Sequence, residues 1–201
     1  MSEHYFSEHP DAAPRPRLVR FRVDGRTYAL RSDAGVFSAD RLDPGTAVLL
    51  REAPAPRGET LLDLGCGYGP IACVLADRAP QATVWAVDTN TRARELTAQN
   101  AADRAVAARV RVCAPDEVPS ELRLDEIWSN PPIRIGKPAL HGLLQQWLAR
   151  LAPDGQAWLV VARNLGSDSL QRWLSEQDWD CSRHASAKGY RVLRVRRPGA
   201  F

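Results

Sequence analysis

The chain has 201 residues, 44% of them hydrophobic, enough for a substantial core built as one domain or one domain plus a small appendage. No apolar run approaches the ~20 residues that span a bilayer, and the opening MSEHYFSEHP lacks the basic and apolar regions of a signal peptide, so the expected location is the cytoplasm with no membrane partner. Net charge is only +3, yet residues 183–197 hold Arg183, Lys188, Arg191, Arg194, Arg196 and Arg197 without one acid, a density that suits phosphate contacts or, equally, a charge-protected edge strand.

In chain order, residues 1–16 carry Pro10, Pro14 and Pro16 and read as an extended arm. Two alternating segments then flank Asp24-Gly25, the dipeptide of a type I′ turn, and predict a small N-terminal β-hairpin. The stretch GVFSADRLDPGTAVLLREA predicts a turn and a short helix from about Pro44. From residue 60 the pattern changes to alternating strand and helix: TLLDL, PIACVLADRA, ATVWAVD, TRARELTAQNAADRA and RVRVC. EIWS then precedes a helix from Lys137 to about Leu151, the strand QAWLVVAR, a helix over about 167–177, and two closing strands around Cys181 and Val192. The division expected is an N-terminal arm, hairpin and helix over 1–56 packed on a main domain over 57–201. This order predicts an α/β fold with a mostly parallel, doubly wound sheet and a ligand crevice beyond the carboxyl ends of its strands.

Cys66, Cys73, Cys113 and Cys181 never fall at C-x-x-C spacing and the histidines are dispersed, which predicts free thiols and no metal site. The first strand of the alternating region instead runs straight into DLGCGYGP. Gly65, Gly67 and Gly69 let the backbone turn tightly and approach a ligand, and Pro70 fits the first turn of the next helix. A dinucleotide fingerprint would read G-x-G-x-x-G with phosphate on the helix; here the spacing is G-x-G-x-G, and Asp63 opposes phosphate but suits an ammonium group. Asp88, at the end of the second strand, can accept from two ribose hydroxyls in either cofactor class, or cap the following helix. Near residue 130, SNPPIRIG forms a stiff, non-helical corner directly after a strand, a good place to display carbonyl oxygens.

LLDLGCGYGPIACVLA, Asp88 and SNPPIRIGK in this order resemble class I S-adenosylmethionine-dependent methyltransferases, and more narrowly the "methyltransferase small" family that includes ribosomal RNA guanine-N2 methyltransferases. HYFSEHP, GVFS, LDPGT and KGYRVL extend the resemblance over most of the chain. It implies a Rossmann-like sheet of about seven strands with the last antiparallel. It implies S-adenosylmethionine held by Asp63, Gly65, Gly67, Tyr68 and Gly69, with Asp88 on the ribose. It also gives the corner a role, since in N-P-P families the asparagine side-chain oxygen and a proline carbonyl accept hydrogen bonds from an amino group on a planar ring or amide.

Asn130 and the carbonyl of Pro131 are the corresponding candidates here. A conjugated amine is a poor nucleophile that becomes cationic as it attacks, so two fixed acceptors would aim its lone pair and stabilise the charge. Pro132 stiffens the corner. Ile133 stands where relatives place a ring that stacks on the target base, so Phe37 is a substitute for that role or else a buried hydrophobe. Asp116, in CAPDEV, is a poor match to the acid that contacts adenine. The expected reaction is methyl transfer to the N2 amine of a guanine in ribosomal RNA, with small-subunit RNA or an assembly intermediate as partner. The alternatives are N-methylation of DNA adenine or a protein glutamine, and a non-catalytic RNA-binding module, against which the intact glycine loop and Asn130 argue.

Overall fold

The computed structural model describes residues 13–199; HYFSEHP and Pro10 lie outside that range. The hairpin pairs β1 (Arg17–Val23) with β2 (Arg26–Ser32). Its two-residue turn has Asp24 at φ 51° and Gly25 at φ 76°, the doubly positive backbone that a type I′ turn demands. One face buries Val19, Tyr28 and Leu30, while most of the arginines face solvent. Asn100 clips the hairpin to the rest of the molecule: its Oδ1 accepts from Arg31 N at 2.7 Å and its Nδ2 donates to Arg31 O at 2.9 Å.

The helix after the hairpin, α1 (Pro44–Glu52), precedes β3 (Thr60–Leu64), α2 (Pro70–Arg78), β4 (Thr83–Val87), α3 (Thr91–Asp103), β5 (Val110–Cys113) and β6 (Leu124–Ser129). Then come α4 (Lys137–Leu148), β7 (Leu151–Ala162), α5 (Ser167–Glu176), β8 (Asp180–Ala187) and β9 (Tyr190–Arg196). The seven-stranded sheet has the order β5-β4-β3-β6-β7-β9-β8, and the final strand β9 lies antiparallel to both neighbours, as expected. Consecutive residues point to opposite faces, and both faces are covered. Leu61, Trp128, Val160 and Val192 join α1 and α2 in one core, whereas Leu62, Ile127, Leu159 and Leu193 join α4 and α5 in the other. The near-continuous apolar character of TLLDL and AWLVVA follows from this two-sided burial.

One boundary differs from the sequence expectation. The helix from Lys137 stops at Leu148, and β7 begins at Leu151 rather than near Gln156. The pairing with β6 shifts register between Leu124 and Glu126, which lets Ala-Pro-Asp-Gly bulge out. Gly155 permits this: a Cβ there would sit 2.7 Å from the carbonyl oxygen of Leu124.

Candidate active site

Three strand ends meet at the place where connections leave the sheet in opposite directions: β3 sends its chain toward β4 on one side, with β6 on the other. That is where α/β sheets open a ligand crevice. Ser129 ties the two sides, its Oγ donating to Leu64 O at 2.7 Å. A cavity there is lined by Phe37, Asp43, Thr46, Gly65, Tyr68 and Asn130, among others.

The three loop glycines serve two purposes. Gly65 (φ 76°) and Gly67 (φ 57°) need the left-handed backbone, and a Cβ on either would enter open space with no atom within 4 Å. Gly69 (φ 87°) instead turns the chain into α2 against Thr97, whose Cγ2 would lie 2.9 Å from an added Cβ. Thr97 in turn donates to Gly67 O at 2.9 Å, and Asn100 Nδ2 donates to Tyr68 O at 2.8 Å, so α3 holds the loop rigid from behind.

Two carboxylates flank the loop. Asp88 accepts from Gly67 N and Asn90 N, both at 2.9 Å, which ties the end of β4 to the glycine turn. Burial nevertheless raises its pKa. Asp63 is wholly buried; its Oδ2 accepts from Ala72 N at 2.9 Å, while among the described residues its Oδ1 has no partner. Burial pushes its pKa up to about 8, against the opposing Ala72 N–H and with help from the Asp88 charge. A buried carboxylate oxygen without a donor, above two glycines open to space, fits a cofactor that brings a cation and lies close to the backbone. The Tyr68 hydroxyl, on a side chain only 2% exposed, also lacks a partner among the described residues, and burial raises its pKa.

Across the cavity, Asn130 Nδ2 donates to Asp43 Oδ1 at 2.7 Å and to Thr46 Oγ1 at 3.1 Å. A carboxylate only accepts, so the amide nitrogen must face Asp43 and the amide oxygen must face away from it. Asp43 itself cannot turn freely: it caps α1, accepting from Gly45 N at 2.8 Å and Thr46 N at 3.0 Å. Sequence reasoning passed over Asp43 and Thr46, although Asp-Pro-Gly-Thr is a legible cap signal. What the sequence could not show is that this cap points at a residue 87 positions away.

The N-P-P corner is non-helical through Pro132, as expected, and then enters one 3-10 turn over Ile133–Ile135. Pro132 has φ −74° and ψ 74°, an inverse γ-turn in which Ile133 N donates to Pro131 O at 2.8 Å. A carbonyl oxygen has two lone pairs, so one remains at Pro131. Ile133 packs against the α4–α5 core and does not line the cavity; Phe37, 39% exposed, does. Asp116 is exposed on a short turn beyond β5.

Comparison with known proteins agrees with this geometry. Residues 27–194 match the methyltransferase small domain family. The chain is 33% identical to the Bacillus subtilis uncharacterized protein YbxB, over 98% of this chain and all 100% of that one. It is 36% identical to the ribosomal RNA small subunit methyltransferase C of Hahella chejuensis over 81% of this chain but only 45% of that protein. Among solved structures, a T. thermophilus 16S rRNA N2 methyltransferase in complex with AdoMet (S-adenosylmethionine) and guanosine superposes with a TM-score of 0.78 at 26% identity, over 94% of this chain and 52% of that one. The chain thus spans about half the length of these two named methyltransferases. Matching both the family over most of its length and an AdoMet-bound fold, the chain belongs to the methyltransferase small domain family of S-adenosylmethionine-dependent enzymes.

Proposed function

We propose that the chain methylates the exocyclic N2 amine of a guanine in small-subunit ribosomal RNA. The observation that carries this reading is the fixed polarity of Asn130, an amide whose nitrogen is taken by Asp43 and Thr46 and whose oxygen is left to accept. The names of the similar proteins support it: one is a 16S rRNA N2 methyltransferase and another a small-subunit RNA methyltransferase. When bound, S-adenosylmethionine supplies an electrophilic methyl on a sulfonium. Asp63 would pair with its ammonium, Asp88 with its ribose hydroxyls, and Gly65 and Gly67 would admit it to the backbone. Asn130 Oδ1 and the remaining lone pair of Pro131 O accept the two N–H groups of the target amine, freeing its lone pair and stabilising the positive charge that develops. The methylated ammonium is acidic, so the proton leaves without a strong base.

In this reading residues 1–56 contribute Phe37, Asp43 and Thr46 to the pocket, and residues 57–201 contribute the cofactor loop and Asn130. An RNA substrate of this kind would place the protein in the cytoplasm; no helix among the described residues is long and apolar enough to cross a membrane. Mass spectrometry of nucleosides from small-subunit RNA, with and without the protein, tests the assignment. Loss of N2-methylguanosine in its absence is the expected result, whereas an unchanged RNA with loss of methyl from DNA adenine or a protein glutamine would overturn it.

Phe37 takes the base-stacking role that Ile133 cannot fill. Stacking on an aromatic side chain contributes about 1–3 kcal/mol per base, so Phe37→Ala should raise KM for RNA by roughly 10- to 100-fold. Phe37→Tyr should stay near the parent. Steady-state kinetics decide it, and an alanine variant with unchanged KM removes Phe37 from the site.

Asp63 makes the cofactor-free protein sensitive to pH. Its folded pKa of about 8 exceeds the ordinary carboxylate value of about 3.9, so the folded state holds the extra proton and stability falls as pH rises between those values. An arriving ammonium favours the carboxylate, so affinity for S-adenosylhomocysteine should rise between about pH 6 and 7.5, below the ligand's own amine titration. Calorimetry in buffers of different ionisation enthalpy should detect proton release on binding. Asp63→Asn should abolish both the release and the slope.

A further inference from the structure

Six basic side chains read alike in residues 183–197, and the fold separates them. Arg191 is ion-paired with Asp168 of α5, and Arg196 with Asp180 of β8. Arg194 donates to Gln156 Oε1 at 2.9 Å and lies over Trp158, while Arg197 donates to the carbonyls of Ala149 and Leu151 at 2.8 and 3.0 Å. These four hold the antiparallel edge to the rest of the sheet. Arg183 and Lys188 are different: both are exposed and, among the described residues, neither is in an ion pair.

Arg163, exposed in the turn after β7, joins them from another part of the chain. It lines one groove with Arg183, His184 and Ser186, and an adjoining hollow with Lys188 and Tyr190. The one acid on these walls among the described residues, Asp168, is the partner of Arg191. Charge placed only to protect an open edge would sit on β8. Arg163 follows β7, which is paired on both sides, and has no edge to guard.

Tyr190 links the hollow to the elements that build the catalytic corner. Strand order puts the turns after β6, after β7 and before β9 side by side; Leu193 stands two strand spacings from Ser129, and Tyr190, three residues further along β9, lies about 14 Å from it. Tyr190 also abuts α1, since a Cβ on Gly45 would lie 2.9 Å from its ring, and the cap of that helix is the residue that orients Asn130. A groove and a hollow that share Arg163, with three cations outside any ion pair among the described residues, one each from the turn after β7, from β8 and from the β8–β9 turn, fit an extended polyanion that runs beside the site.

We propose that Arg163, Arg183 and Lys188 form the phosphate track for the RNA strand flanking the target base; the inference rests on RNA being the substrate. Arg194 and Arg196, despite their place in the same basic run, belong to the scaffold.

The test is fluorescence anisotropy of a labelled single-stranded oligoribonucleotide across salt concentrations, beside calorimetry with S-adenosylhomocysteine and thermal unfolding. Each phosphate contact on a single strand contributes about 0.7 to the log–log salt slope, so Arg163→Gln, Arg183→Gln and Lys188→Gln together should lower it by about 2. Cofactor affinity and melting temperature should stay at the parent values. Arg194→Gln with Arg196→Gln should do the reverse, lowering the melting temperature and sparing the slope. A parental slope in the triple variant, from a protein that still methylates ribosomal RNA, would refute the track while leaving the substrate assignment standing. A native chain with no salt-dependent RNA binding would refute both.

Discussion

Asn130→Ala is expected to slow single-turnover methyl transfer by roughly 10² to 10³ while cofactor affinity is retained, as for deletion of one preorganised polar group at a transition state. A second substitution at the same position tests the polarity of the amide. Asn130→Asp keeps an acceptor, but it sets a carboxylate against the carboxylate of Asp43, which the native amide approaches at 2.7 Å as a donor. Two anions at that distance repel, so the single variant should be no better than alanine. Combining it with Asp43→Asn restores one donor facing one acceptor and keeps a residue type that caps helices well. Coupled polar neighbours interact by about 0.5–3 kcal/mol, so the exchange should recover ~10-fold over Asn130→Asp alone. If Asn130 were only a turn-stabilising residue, Asn130→Ala would melt earlier and turn over normally in its folded fraction; that result would remove it from the chemistry.

Asp88→Ala should weaken S-adenosylmethionine and S-adenosylhomocysteine binding by at least ~10²-fold, because two hydrogen bonds to a charged acceptor contribute about 1.5–3 kcal/mol each. It should also lower the melting temperature, since Asp88 holds the backbone N–H groups of Gly67 and Asn90. Asp88→Asn, which preserves shape and one acceptor, should fall between. NAD should bind negligibly, because its pyrophosphate brings negative charge beside Asp88 and no cation for the unpartnered oxygen of Asp63. Calorimetry on the folded variants decides the matter: parental affinity in Asp88→Ala, or tight NAD binding, is incompatible with the assigned ribose contact.

Both predictions depend on rigidity supplied by the helices packed around the strand ends. Thr97 and Asn100 of α3 hold the glycine loop through the carbonyls of Gly67 and Tyr68, and the cap of α1 holds Asn130. Donors and acceptors fixed in advance need little reorganisation during reaction, so their full electrostatic effect reaches the transition state. Substitutions at Thr97, which holds the loop from behind, should therefore change turnover without touching either ligand.

The sequence alone determined the order of strands and helices, the I′ turn at Asp24-Gly25, the glycine loop, Asp88 and the N-P-P corner. Each is a local signal: two-sided strands read as apolar runs, positive φ selects glycine, and proline stiffens its neighbours whatever the tertiary context. Tertiary structure alone decided three other matters. It set Asp43 against Asn130 across 87 positions and so chose which end of the amide accepts. It gave the loop glycines different tasks, Gly65 and Gly67 facing open space and Gly69 pressed on Thr97. It divided one basic run into four arginines tied to the scaffold and two side chains facing solvent, where Arg163 from another connection joins them. The physical reason is the same in all three: a hydrogen bond, a steric contact or an ion pair depends on which distant residue the folded chain brings within a few ångströms, and composition and spacing along the chain carry no record of that distance.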